Sequence, residues 1–138
     1  MRDHEQECVA RALGCPRSQL AVVNVTERLP TKAECREAAA IMVGGSGAFH
    51  VYDDHPWIHR LEAWLGQLLT DIDRPFLGMC FGHQAILKAS GGTIINDPER
   101  EELGTYELRL TEAGRNDPLF EGIPEQLDVQ LGHVDRCQ

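Results

Sequence analysis

Runs of apolar residues separated by amphipathic stretches set the pattern of this chain. Leu20–Val25, Ala39–Val43, Phe76–Met79 and Thr93–Ile95 are short and mostly apolar, and none alternates cleanly between polar and apolar residues. Such runs predict buried strands of a parallel sheet covered on both faces. Between them lie helical patterns. Asp3–Leu13 presents Cys8, Val9, Ala12 and Leu13 on a narrow face, and Gly14 and Pro16 stop it. Thr31 is placed to cap a helix running through Ala38. Ile58, Leu61, Leu65 and Leu68 mark the core face of a third helix through Leu69, with Pro56 in its first turn and Asp54 as N-cap. A fourth helix carries Ala85, Ile86 and Ala89 on one face and ends at Gly91-Gly92. Later the period changes: Thr105–Leu110 and Leu127–Leu131 alternate and predict half-exposed antiparallel strands. Between them, Asp117–Pro124 reads as a loop anchored by buried Leu119 and Phe120. The fold class expected is α/β, doubly wound and mostly parallel, over a single domain, 1–138.

Composition narrows the partners. The chain has 138 residues, 42% apolar, and a net charge of −9. That is enough for one core, and the acidic balance argues against nucleic acid and anionic membranes. No apolar run approaches the ~20 residues of a membrane span, and Met1–Glu7 lacks the apolar core of a signal peptide. Five cysteines without a C-x-x-C pair fit a reducing, cytoplasmic setting and no metal site. His55 and His59 with Asp53 and Asp54 have metal-like spacing, but a solvent-facing helix start explains them better. Gly44–Gly47 lacks the third glycine of a dinucleotide fingerprint, and no cofactor is expected.

The chemistry concentrates at Gly78-Met-Cys80-Phe-Gly82-His-Gln84. A strand ends at Cys80 and a helix begins at once, which is the logic of a nucleophile elbow. The helix N-terminus stabilises negative charge on the sulfur, and the Phe81 N–H is placed to bind a developing oxyanion. This stretch resembles the Gly-x-Cys-x-Gly-x-Gln motif of class I glutamine amidotransferases, with every spacing present. The resemblance implies a flavodoxin-like sheet with helices on both faces, and Cys80 as catalytic nucleophile. It also implies a second oxyanion donor in the loop after Val43: Gly45, with Gly44 and Ser46 as alternatives. Gly44, Gln84, His133 and Asp135 would line the substrate site, the last two in a His-x-Asp loop. The match to stand-alone proteins related to the GMP synthase glutaminase domain runs from about residue 3 to 138. It lacks the family's first strand, which leaves Leu20–Val25 without its neighbour. It also lacks the downstream histidine and glutamate of the catalytic set, so this exact chain is expected to be inactive or weakly active. The implied function is hydrolysis of the glutamine side-chain amide to release ammonia, with a synthase or acceptor subunit as partner. Two alternatives stay open: a γ-glutamyl peptidase or hydrolase of the same fold, and a non-catalytic remnant that binds glutamine or a partner subunit.

Overall fold

A computed structural model describes residues 2–138. In chain order it contains α1 (Arg2–Ala12), α2 (Lys32–Glu37), β1 (Ile41–Val43), α3 (Pro56–Asp71), β2 (Phe76–Gly78), α4 (Phe81–Ala89), β3 (Ile94–Asn96), β4 (Glu102–Arg109), α5 (Glu112–Arg115), β5 (Gln126–His133) and β6 (Asp135–Cys137).

Local chemistry accounts for the helix starts. Thr31 accepts from the Glu34 N–H while Glu34 reaches back to the Thr31 N–H, a complete capping box for α2. In α3 the cap residue is His55, not Asp54, and it makes no side-chain cap bond. Asp54 instead meets His59 Nε2 at 2.9 Å, while Asp53 accepts from the His50 N–H at 2.7 Å. The acids of this segment are thus spent on its own turn, and Pro56 opens the helix by its fixed φ.

Helix α3 supplies the core. Ile58, Leu61, Leu65 and Leu68 are all buried, as their spacing predicts. Ile58, Leu61 and Leu65 pack with Val51, Phe81 and Ala85, while Leu68 joins Cys35 and Ile72. The α4 helix therefore docks on α3 through Phe81 and Ala85. Lys88 closes the same contact from its edge, donating to the Val51 carbonyl at 2.9 Å and meeting Glu62 at 2.8 Å.

The sheet is smaller than expected. Strands β1 and β2 pair in parallel, with Val43 opposite Gly78. Strands β3 and β6 pair antiparallel, as do β4 and β5. Among the described residues there is no larger ladder, so one pair of three is parallel. Nor are both faces of β1–β2 covered. Ile41, Val43 and Phe76 pack toward the α3 core, whereas Met42 and Leu77, neighbours on the other face, are exposed. Among the described residues Leu20–Val25 forms no strand: Leu20 is extended, but the run joins no ladder, and Val22 is 56% exposed. A ladder needs a partner, and propensity alone does not supply one. In α1 the buried residue is Ala10, while Cys8, Ala12 and Leu13 are exposed.

The β4–β5 hairpin pairs over its full length, from Glu102 opposite His133 to Arg109 opposite Gln126. One face of β5 is half-buried at Leu127, Val129 and Leu131, as its alternation predicts. The connection carries no buried anchor: Leu119 is 69% exposed and Phe120 37%. Asp117 caps that turn by accepting from the Leu119 N–H, so polar turn chemistry shapes it rather than burial. His133 and Asp135 stand on strands, not in a loop, because β5 and β6 follow each other with one residue between.

Candidate active site

Cys80 sits at the junction of β2 and α4 with φ 52° and ψ −114°. Among the described residues it is the only non-glycine with positive φ. An L-residue there stores backbone strain of roughly 1–3 kcal/mol, which the surrounding packing must hold in place. That packing is visible. The Met79 N–H donates to the Val43 carbonyl at 2.9 Å, and the Gly82 N–H turns back to the Met79 carbonyl at 2.9 Å. Gly82 presses α4 onto β1: a Cβ there would lie 2.0 Å from the Val43 carbonyl oxygen. Gly78 presses on the next turn, where a Cβ would lie 2.5 Å from the His83 backbone nitrogen. Both motif glycines are thus required by backbone approach, one on each side of the cysteine. The sulfur is left exposed at the top of the strand pair.

The loop after β1 arrives at the same place. A Cβ on Gly45 would be 3.4 Å from the Cβ of Cys80, while one on Gly44 would meet nothing within 4 Å. Ser46 holds the loop, its Oγ accepting from the Phe49 N–H at 3.1 Å. Among the described residues the Gly45 and Phe81 N–H groups have no internal acceptor. Ser46, Gly47, Phe49, His50, Cys80, Phe81 and Gln84 line a cavity of about 250 Å³. Glu101, Leu103, Gly132, His133, Val134 and Asp135 complete its lining. The cavity thus gathers Cys80, Phe81, Gln84, His133 and Asp135, while neither Gly44 nor Gly45 is among its lining residues.

Asp135 is the hub of this lining. It is buried at 6% exposure. Its carboxylate accepts from the Tyr52 hydroxyl at 2.8 Å and Asn96 Nδ2 at 2.9 Å, and meets His50 Nδ1 at 2.5 Å. Its backbone carbonyl accepts from Gln84 Nε2 at 3.2 Å, which ties α4 to β6. Burial pushes the Asp135 carboxyl up, but the hydrogen bonds from Asn96, His50 and Tyr52 outweigh it and hold the group below its ordinary value. The Asp135 bond raises His50. Burial, together with Asp135, pushes Tyr52 up to about 12.

These shifts make a stability prediction. His50, raised on folding, contributes stability fully below its ordinary 6.5 and loses it as pH rises through the raised value. Asp135, depressed on folding, contributes above its ordinary 3.8 and loses this as pH falls through the depressed value. Asp135→Asn should therefore cost about 2 kcal/mol, most between pH 4 and 6.5 and less above. Urea midpoints of both proteins across that range check it; a pH-independent difference contradicts it.

Sequence reasoning reached Asp135 as a lining residue but missed its partners His50, Tyr52 and Asn96. It also assigned His133 no acidic partner beyond Asp135. The structure corrects this: Glu102 is directly opposite His133 in the hairpin, and His133 Nε2 lies 3.0 Å from its carboxylate. His83 faces Cys137 Sγ at 3.9 Å. His55 and His59, the metal-like pair, are engaged separately, His55 edge-on to Phe49 and His59 with Asp54.

Comparison with known proteins identifies the family. The model of the family described as glutamine amidotransferase class-I matches residues 2–138. A GMP synthase [glutamine-hydrolyzing] of Thermosipho africanus is 31% identical over 136 residues, covering 91% of this chain and 24% of that protein. A glutamine amidotransferase-like protein of Schizosaccharomyces pombe is 35% identical over 123 residues, covering 79% of this chain and 49% of its own. The solved glutamine amidotransferase of Methylobacillus flagellatus superposes with a TM-score of 0.68 at 24% identity, over 94% of this chain and 49% of that one. One from Thermotoga maritima gives 0.64 at 20% identity, over 96% and 55%. The chain thus spans about a quarter of that GMP synthase and about half of the other three. The two structural likenesses support a shared mixed α/β fold, and the match along residues 2–138 shows that this chain belongs to the class I glutamine amidotransferase family.

Proposed function

We propose that the site is a glutaminase centre in which Cys80 attacks the side-chain amide of glutamine. The observation that carries this reading is the strained turn at Cys80 set against the Gly45 backbone, with two unengaged N–H groups beside the sulfur. Such a turn presents a nucleophile free of its neighbours. A tetrahedral oxyanion formed on it would accept from the N–H groups of Phe81 and Gly45. Gln84 and His133 line the cavity that would take the substrate, Asp135 holds Gln84 in place, and Gly44 belongs to the same loop as the Gly45 donor.

The doubly wound, flavodoxin-like sheet belongs to the same reading, with β1 and β2 as its catalytic strands. So does a cytoplasmic setting, in which five free thiols persist. Ammonia would pass to an acceptor held by a synthase subunit, as the similarity to GMP synthases suggests. Among the described residues no helix is long and apolar enough to cross a membrane.

The test is a substrate panel. Ammonia release from glutamine, asparagine and γ-glutamyl peptides is measured before and after blocking with iodoacetamide. The reading predicts release from glutamine at least tenfold above asparagine, abolished by the block. Release of amines from γ-glutamyl peptides in preference to ammonia from glutamine would select the peptidase alternative. No thiol-dependent release from any substrate would favour a binding remnant.

A further inference from the structure

We propose that Asp135 is a positioning residue for the oxyanion hole: its carboxylate anchors the loop that carries the Gly45 N–H, while its carbonyl anchors the helix that carries the Phe81 N–H. The inference rests on the reading of those two N–H groups as oxyanion donors and names what sets their spacing. Gly45 cannot place itself. Among the described residues its N–H has no internal acceptor, and glycine has no side chain to pack. Its position is inherited from the anchors on either side. On the β1 side the anchor is the Val43 carbonyl, which accepts from the Met79 N–H. On the other side, residues 46–52 form a braced turn. Ser46 Oγ accepts from the N–H groups of Ala48 and Phe49 at 3.3 and 3.1 Å. Phe49 meets His55 and Trp57 edge-on. Val51 is buried, and its carbonyl accepts from Lys88. His50 and Tyr52 stack, with centroids 5.1 Å apart and planes 11° apart, and both reach the Asp135 carboxylate.

Asp135 is itself well fixed. Asn96 stands opposite it in the β3–β6 pair and donates to its carboxylate, so the sheet holds the group from the side away from the loop. Three of the roughly four lone-pair sites of a carboxylate are engaged by the protein, and a buried carboxylate needs such partners. Its chemistry is therefore spent on holding other residues. The backbone carbonyl of the same residue accepts from Gln84 Nε2 at 3.2 Å. Gln84 is buried, and its own N–H donates to the Cys80 carbonyl at 3.1 Å, which places it one turn into the nucleophile helix. Ties from the loop and the helix to two different elements would steady each separately. Ties that converge on one residue fix the distance between them.

The consequence is selective. When the Cys80 thiolate attacks a carbonyl carbon, the C–S bond forms and the carbonyl π pair moves to oxygen, where the two N–H groups receive the charge. When it is alkylated by iodoacetamide, the C–S bond forms as iodide leaves, and no charge builds on a carbonyl oxygen. A loop that drifts from Cys80 therefore slows acylation and leaves alkylation alone. A residue that merely kept the chain folded would move both rates together.

The test uses the full chain with Asp135→Asn, Tyr52→Phe, His50→Ala and His50→Asn, and with Gly45→Pro, which deletes a donor N–H outright. Each is treated in parallel with p-nitrophenyl acetate, which acetylates the thiol as p-nitrophenolate leaves, and with iodoacetamide. Initial rates at the Cys80 peptide are read by mass spectrometry, and labelling of buried Cys35 reports any unfolded fraction, which is subtracted. Gly45→Pro should lower acetylation about 10²-fold relative to alkylation. Asp135→Asn and His50→Ala should lower it about tenfold and Tyr52→Phe about threefold, with alkylation within about twofold throughout. His50→Asn, whose side-chain amide can donate from the place of Nδ1, should restore the parent ratio to within about twofold. An unchanged ratio in Asp135→Asn and His50→Ala, beside a lowered one in Gly45→Pro, would overturn the positioning role and leave Gly45 as donor. So would acetylation and alkylation falling in step. An unchanged ratio in Gly45→Pro would overturn the donor reading and the positioning role with it.

Discussion

Cys80→Ala is expected to bring whatever ammonia release from glutamine the chain supports down to the background of the assay. The whole proposed reaction passes through a covalent bond to this sulfur, and the structure offers no replacement. Cys137, the thiol nearest in sequence to the cavity wall, is only partly exposed, and its sulfur sits 3.9 Å from His83. Burial also raises the Cys137 thiol, which disfavours the reactive thiolate. Cys35 is buried and raised for the same reason. What would survive in Cys80→Ala is the pair of N–H groups at Gly45 and Phe81, which can polarise a bound amide but cannot attack it. Because Cys80 is exposed and packs nothing in the core, the variant should melt within about 0.5 kcal/mol of the parent. Ammonia release together with a urea midpoint separates loss of chemistry from loss of fold.

Gly82→Ala is expected to cost about 3 kcal/mol or more. The added methyl would lie 2.0 Å from the Val43 carbonyl oxygen and 2.5 Å from its carbon, and both are backbone atoms that no rotamer change moves aside. Helix α4 must then back away from β1. Phe81 and Ala85 are its buried residues against α3, so the retreat opens the central cluster as well. Overpacking costs about 1–3 kcal/mol where side chains can yield, and here they cannot. The same movement displaces Cys80 from Gly45, and misplacement by about 1 Å can cost roughly 10²-fold in rate. Gly132→Ala is the contrast, because its Cβ would meet nothing within 4 Å; it should change stability by less than about 0.5 kcal/mol. Equal midpoints for the two variants would show that α4 is not pinned to β1 through Gly82.

What the sequence made legible was local. The turn at Cys80, the cap at Thr31 and the core face of α3 each depend on residues within a few positions of one another, and each is found as expected. The motif glycines were legible as open positions, although their partners, Val43 and the His83 backbone, appear only in the fold. What was not legible is pairing at a distance. His50 and Asp135 are 85 residues apart, and no local pattern marks a histidine in a polar run as the partner of an aspartate on the last strand. The run Leu20–Val25 has the composition of a strand, yet composition says nothing of a neighbour. Leu119 and Phe120 are apolar and lie between two strands, which suggests anchors; the hairpin they cap offers them no surface to cover. For His133 the spacing of β4 and β5 was read, but not their register, and the register is what sets Glu102 beside it.

The central claim, that Cys80 forms a covalent intermediate with glutamine, is tested most directly by trapping it. The protein is mixed with glutamine, quenched in acid within the first turnovers and digested, and the Cys80 peptide is weighed by mass spectrometry. A γ-glutamyl thioester on Cys80, absent without glutamine and discharged by hydroxylamine, is the predicted result. Ammonia release that continues while Cys80 carries no adduct, or that persists in Cys80→Ala, would contradict it.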